Sequence, residues 1–405
     1  MLSDEIIEKV IERLITRIEN GNEYILDEIG KSIKKIGTLN PSTANKIVQI
    51  FKYGGDYDKI VKKISEITKL NVKDIHKIFE EVAKNNYEFA EQFYKYRNKK
   101  FISWEENTTL QEQVKAIADI TVKEYRNIMR TLAFSKKVNG KVVYTKLSKV
   151  YQDILDEAIL NVSQGKDTFQ NQMYKSIKEL GESGIRTIDF ENGRSMRLDS
   201  AVRMHLKAGI RNLHNEIQKS IGEEIGADGV EISVHLNPAP DHEQVQGRQF
   251  SNKEFEKFQS DRRAVSYDGV VFEPEFKGHD RRSISQYNCY HYTFSIILGV
   301  NKPQYSDKEL KEIIENNNKG FEFDGQHYTN YEGTQLQRQI ELAIRKEKDK
   351  QILARASGQD DLVQESQLKI TQLTRKYREL SQVSGLPTKM DRMRVSGYKR
   401  IGIKK

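Results

Sequence analysis

Cysteine and histidine are the residues here whose types and spacing invite chemistry. The run Gln286–Tyr292, QYNCYHY, holds the single cysteine of 405 residues, Cys289, with His291 two positions on. About fifty residues earlier, HLNPAPDHEQVQGRQF carries His235 and His242, and six of the eight histidines fall between 205 and 291. Thiolate and imidazole are the donors zinc prefers, usually four in a tetrahedron. Cys289 and His291 alternate on a strand or share a tight loop. His235 closes a strand, and His242 follows after a proline-containing turn. His235, His242, Cys289 and His291 therefore form a candidate Cys/His₃ metal set with zinc as the expected ion, although the spacing is not that of a known zinc finger. The plainer reading makes Cys289 a small buried hydrophobe and the histidines hydrogen-bonded loop residues.

Other chemistries can be weighed on the same residues. GHDRRSISQYNCYH offers His279, Asp280, Asn288 and His291. Two histidines with an asparagine between them can bind a divalent metal and activate water on a phosphodiester, with Arg281 and Arg282 holding phosphates. A ββα-metal nuclease, however, has a longer gap and carries its last histidine on a helix, whereas YTFSIILG after His291 reads as a strand. Cys289 with a histidine base would be a nucleophile, but nothing marks an oxyanion hole. No Walker motif or glycine-rich phosphate loop is present. His205 and His214, nine residues apart on one helix, point to different faces and are expected at its surface or edge.

The elements that position these residues follow from hydropathy patterning. The chain is 37% apolar and 31% charged, which suits long exposed helices better than one thick core. Its length calls for two or three domains. One cysteine excludes an intramolecular disulfide framework. No run of eighteen apolar residues is present to span a membrane, and MLSDEIIEKV does not read as a secretory leader. Residues 3–19 repeat apolar side chains at helical spacing, with Ser3 as cap. Asn40-Pro41-Ser42 opens a second helix, which Gly54-Gly55 closes. Residues 56–69 and 71–98 form two more, with Asn71 as the cap between them. Residues 105–135 and 145–181 continue the pattern around a hairpin, KKVNGKVVY, turning at Asn139-Gly140.

Near Gly181 the texture changes. IRTIDFENGRSMRL reads as a hairpin centred on Asn192-Gly193. A strong amphipathic helix follows, capped by Asp199 or Ser200, and then the strand GVEISVHL. Residues 237–303, with four of the six prolines, form a loop-rich α+β region. Helix returns from Thr334 to about Val383, interrupted near Gly358. The fold class is thus mainly α with a small α+β module. It divides into a helical region 1–183, an α+β module 184–303 holding the His/Cys cluster, a charged helical region 304–384 and a basic tail 385–405. Net charge is +8. The tail gathers Lys389, Arg392, Arg394, Lys399, Arg400, Lys404 and Lys405 against Asp391 and can neutralise phosphates; the alternative is a solvated terminus.

Several segments taken together resemble one family. LDSAVRMHLKAGI, GADGVEISVHLNPAPDHEQVQGRQFS, NCYHYTFSIILGV and YTNYEGTQLQRQIELAIRKEKDKQ, in that order, are similar to the phage minor capsid protein 2 family, a relative of the phage Mu gene F-like head-morphogenesis proteins. The likeness runs from about Ile185 onward, with a weaker helical match before it. Two arginines of the family pattern are absent: NPAPDH stands where an Ala-Arg segment is common, and Tyr290 replaces the arginine between Cys289 and His291. The resemblance implies a structural virion part without enzymatic activity, made in the bacterial cytoplasm and present in few copies at or near the portal ring. It implies action in head assembly and DNA packaging or ejection. The portal protein and other head or neck proteins would be its partners, with packaged DNA at the basic tail and no membrane. The alternatives are a metal-dependent nuclease, or other nucleic-acid enzyme, using the His/Cys cluster, and a plain DNA-binding module working through the tail. An enzyme would place carboxylates beside the histidines, where Asp241 and Asp280 are the close candidates. A DNA reader would show a denser basic stripe.

Overall fold

A computed structural model describes residues 4–37, 54–138, 141–150, 153, 168–188, 195–285 and 289–402. In chain order it contains α1 (Asp4–Gly37), α2 (Gly54–Phe89), α3 (Glu91–Tyr96), α4 (Thr108–Arg130), β1 (Leu132–Val138), β2 (Lys141–Lys146), α5 (Phe169–Ser183), β3 (Arg186–Ile188), β4 (Ser195–Arg197), α6 (Leu198–Ile225), β5 (Gly229–Ile232), β6 (Gln249–Ser251), α7 (Asn252–Asp261), β7 (Ala264–Val265), β8 (Val271–Phe272), β9 (Glu275–Phe276), β10 (His279–Asp280), β11 (Thr293–Ile296), α8 (Asp307–Lys319), β12 (Phe321–Phe323), β13 (Gln326–Tyr328), α9 (Asn330–Ser357) and α10 (Asp360–Ser384). The protein is mainly α with small antiparallel sheets, as its patterning implies.

The chain divides into two compact units, each drawn from three stretches. One comprises Met1–Ile11, Lys73–Lys123 and Met204–Gln335; the other comprises Glu12–Val72, Glu124–Arg203 and Leu336–Lys405.

In the second unit, Asn71 is not a cap. Helix α2 runs unbroken through it, and the side chain is fully buried. Its amide donates to Leu14 O and to Tyr125 Oη, and its Oδ1 accepts from Arg17. A polar residue is tolerated inside the helix because its side-chain groups find partners on other elements. Gly54 and Gly55 open α2, and the helix they were expected to close lies outside the described residues. Asn40-Pro41-Ser42 and the turn residues of both predicted hairpins lie outside the described residues, but the hairpins form: Val138 pairs with Lys141 in β1–β2, and Ile188 pairs with Ser195 in β3–β4. Helix was expected up to residue 135 and again from 145. Both flanks are strand instead, in a sheet of order β2-β1-β3-β4. Central β1 buries Leu132, Ala133 and Phe134, and pairing on both of its edges outweighs the helical periodicity. The run 145–181 is not one helix either: α5 starts at Phe169, capped by Thr168. Gly181 is required by packing, since a Cβ there would sit 2.5 Å from Lys350 Cα. Helices α9 and α10 are separated at Gly358, whose φ of +76° suits a residue without Cβ.

The basic segment after α10 packs back onto this unit as far as Ile401. Met393 is buried, Lys348 donates to Met393 O, Ser396 Oγ to Glu23, Arg355 to Gly397 O, and Ile401 N to Gln367.

In the first unit, the core of the α+β module is Ile232, Val245, Phe250, Phe258, Ala264, Phe272 and Ile284. It lies against a three-stranded sheet of order β11-β5-β6. Helix α7 is capped by Ser251, which accepts from Glu254 N. Helix α8 carries a reciprocal capping box between Ser306 and Glu309.

Candidate metal centre

Strands β5 and β11 pair antiparallel, with Thr293 opposite Ile232. Two further bonds extend the pairing beyond the strand ends: Ser233 N donates to Tyr292 O, and Tyr292 N donates to Ser233 Oγ. The same register carries the chain on to His235 beside Tyr290 and His291, and the His235 ring meets both edge-on, at 5.9 Å and 4.6 Å between centroids.

His242 arrives from the other side. Pro240 opens a single 3-10 turn, Pro240–His242. The backbone then folds over so that Gln246 N bonds His242 O and Gly247 N bonds Ile232 O. Gly247 makes this possible with φ of +70°, and a Cβ there would strike Leu310 Cδ2 at 2.6 Å. Arg248 is anchored to Asp268 and to Asp307. The Gln-Gly-Arg run thus supplies the backbone turn and the Arg248 ion pairs with Asp268 and Asp307.

Three side chains converge. Cys289 Sγ stands 3.7 Å from His242 Nδ1 and 3.5 Å from His291 Nδ1, and the three ligand atoms lie within 4.8 Å of one another. Cys289 is 2% exposed, His242 1% and His291 3%. His235, the fourth residue of the expected set, is half-buried at the rim and outside this triple. Each converging histidine is oriented through its other nitrogen. His242 Nε2 lies 2.9 Å from Arg282 O, and His291 Nε2 lies 3.4 Å from Gln246 Oε1, which also accepts from His235 N. Ser285 N donates to Cys289 Sγ at 3.3 Å.

Burial raises the Cys289 pKa, but hydrogen bonds from His242 and from the His291 and Ser285 backbone outweigh it and leave the thiol below its ordinary value. His242 is lowered by burial and raised more by Cys289, Asp241 and Arg282 O, ending above its ordinary value. His291 is held well below it, by burial and by the neighbouring His235, His242, Arg282 and Arg211.

Charged side chains surround the triple. Asp241 accepts two hydrogen bonds from one edge of the Arg282 guanidinium, through Nε and Nη2. Arg281 donates to Asp241 O, Glu273 O and Gln244, and lies over the rings of Phe272 and Phe276. These two arginines are committed within the module rather than presented to phosphates. His279 and Asp280 are exposed on β10 and are not members of the buried triple; Asn288 lies outside the described residues. Burial of the Cys289 thiol is the environment of a structural rather than a reactive cysteine. Lys207 and Arg211 both lie over the Tyr290 ring, 5.6 Å from its centroid. His214, expected at a helix surface, is buried, its ring edge-on to Tyr292 and Phe294. Gln246 was missed as a site residue in the sequence, where Asp241 was read as a carboxylate near the histidines and Arg282 as a phosphate ligand. A fourfold helical step from His242 to Gln246 was the one available signal.

Of the basic residues, Lys389, Arg394, Lys399 and Arg400 expose their side chains and Arg392 is half-buried. Lys404 and Lys405 lie outside the described residues.

The fold and the site together define a helical protein carrying an α+β module closed around a buried histidine–cysteine triple, with no helix among the described residues long and apolar enough to cross a membrane. The sequence profile of the family described as phage minor capsid protein 2 matches residues 2–381. The chain belongs to that family and is a structural protein of phage type. No curated protein and no solved structure matches it.

Proposed function

We propose that this protein is a minor structural component of a tailed-phage or prophage head, sited at or near the portal, in several copies around the ring, and acting in head assembly and in DNA packaging or ejection. The observation that carries the reading is family membership across nearly the whole chain, residues 2–381. The surface supports it. Phe89, Phe93 and Tyr96 follow one another at helical spacing and are 45%, 42% and 76% exposed, with the Phe89 and Phe93 rings edge-on at 6.0 Å. Exposed aromatics in a row mark partner surfaces, and this row lies in the N-terminal helical region assigned to the portal or another head protein. Packaged DNA is the partner assigned to the exposed cations of the C-terminal segment.

Quantitative mass spectrometry on purified DNA-filled particles, scaled to the portal protein, tests the reading. A constant ratio to portal is expected. Absence from mature particles while the protein is abundant in the lysate would sink it.

A further inference from the structure

We propose that His242 Nδ1, Cys289 Sγ and His291 Nδ1 bind one Zn²⁺ ion, with His235 as the fourth ligand, and that this ion is the structural staple of the α+β module. The inference stands apart from the portal reading and survives its failure.

The hydrogen-bond partners fix the tautomers. A carbonyl oxygen only accepts, so the short contact from His242 Nε2 to Arg282 O requires the proton on Nε2. A neutral His242 then turns a bare Nδ1 toward Cys289. Gln246 Oε1 is identified as the oxygen because it accepts from His235 N. His291 Nε2 must therefore carry the proton that faces it, which leaves His291 Nδ1 bare toward the same sulfur. Two lone pairs thus point at one buried sulfur. A thiol has a single proton and can satisfy one of them. Moving that proton to His242 leaves the His291 lone pair facing a thiolate. A cation among the three donors satisfies all of them at once.

The distances agree. Zinc bonds of about 2.3 Å to sulfur and about 2.0–2.1 Å to nitrogen, at a tetrahedral angle, place S and N about 3.6 Å apart. The two S···N separations are 3.7 Å and 3.5 Å. Imidazole ligands characteristically donate their other N–H to a carbonyl or similar acceptor, as both rings do here, and the Ser285 N–H donates to the sulfur. One thiolate with imidazoles selects zinc over the hard, oxygen-seeking cations. Burial of the three donors fits a structural site rather than a catalytic one, which keeps an open position. The staple ties the 240–242 turn to the segment entering β11, closing the module beside Ile284 of its core.

The test uses the purified full chain, loaded with Zn²⁺, dialysed against metal-free buffer and assayed for bound metal, with Co²⁺ substitution as a second readout. About one zinc per chain is expected. A strong chelator should lower the melting temperature by several degrees, and Co²⁺ should show thiolate-to-cobalt charge transfer. Cys289→Ser and His291→Ala should lose the metal. His279→Ala, exposed on β10, should keep it. His235→Ala should weaken affinity by about tenfold or more. If Cys289→Ser does not fold, the cobalt spectrum of the unaltered chain decides. No retained zinc and no sulfur-to-cobalt absorption overturns the site, as does a folded Cys289→Ser that binds normally. Unchanged affinity in His235→Ala overturns the fourth ligand.

Discussion

Arg282 grips Asp241 side-on, Nε to Oδ2 at 2.6 Å and Nη2 to Oδ1 at 2.9 Å, and its own carbonyl meets the ring of His242, the next residue along. One residue thus neutralises the buried carboxylate and sets the imidazole orientation. Asp241→Ala should leave Arg282 without its partner and loosen the 240–242 turn. Because Arg282 is partly exposed, the loss falls below the full cost of a broken buried pair, at about 2–3 kcal/mol. Burial raises the Asp241 pKa, and Arg282 more than reverses this, so the folded value lies below the ordinary 3.8. The stability it adds is complete above pH 3.8 and disappears as pH falls through the folded value. Denaturant melts of both chains should therefore differ at neutral pH and converge in acid; parallel curves would contradict the ion-pair account.

His214 is a pH-sensitive element on the same module. Burial against Tyr292 and Phe294 pushes its pKa from 6.5 down to about 4. The unfolded chain binds a proton there first, so stability is complete above pH 6.5 and is lost as pH falls towards 4, by up to about 3 kcal/mol. His214→Phe keeps a ring in place and should remove this slope. Chelator-treated protein, melted at pH 4.5 and pH 7.5, isolates the effect from metal release. An unchanged slope in His214→Phe would rule this residue out as its source.

Glu19 has the opposite sign. Burial, together with Asp199 and Glu12, raises its pKa to about 7 despite Arg203 and Arg394. The folded chain holds the proton more tightly, so the carboxyl becomes a penalty that grows as pH rises from 4.5 to 7. Glu19→Gln should stabilise the protein by about 1–3 kcal/mol at pH 8 and change little at pH 4.5. Thermal melts at the two pH values check this, and a gain of equal size at both would refute it.

The C-terminal segment calls for a charge-only test. Removing residues 385–405 would also discard the docked Met393, Ser396 and Tyr398. Converting exposed Arg394, Lys399 and Arg400 to glutamine spares that docking. If the three cations contact phosphates, the slope of log affinity against log salt should fall by about 0.9 for each. Equal slopes for the altered and unaltered chains on duplex DNA would remove DNA from the account of this segment.

Local signals were legible where backbone chemistry is local. Gly358 broke the C-terminal helix because a left-handed residue is needed there. Two Asn-Gly hairpins paired as their alternation implied, and the strand after His291 formed beside the strand leading to His235. Signals failed where distant partners decide. Asn71 looked like a cap because asparagine competes with helix backbone, yet Leu14, Arg17 and Tyr125 satisfy it in mid-helix. Leu132–Phe134 kept helical spacing but became a central strand once edges were available on both sides. Arg281 and Arg282 read as phosphate ligands because the carbonyls and carboxylate that take them are about forty residues away.

The sequence by itself determined a mainly helical chain with a small α+β part, the family resemblance, and the gathering of histidines around a single cysteine. Composition, periodicity and turn chemistry are properties of neighbouring residues and can be read in order. Only the tertiary structure decided that His242 joins Cys289 and His291 while His235 stands at the rim, which nitrogen of each ring faces the sulfur, and that the basic segment lies along the protein. Those outcomes depend on strand register, on the Gly247 turn and on acceptors such as Arg282 O and Gln246 Oε1. Packing supplies these from residues far apart in the chain.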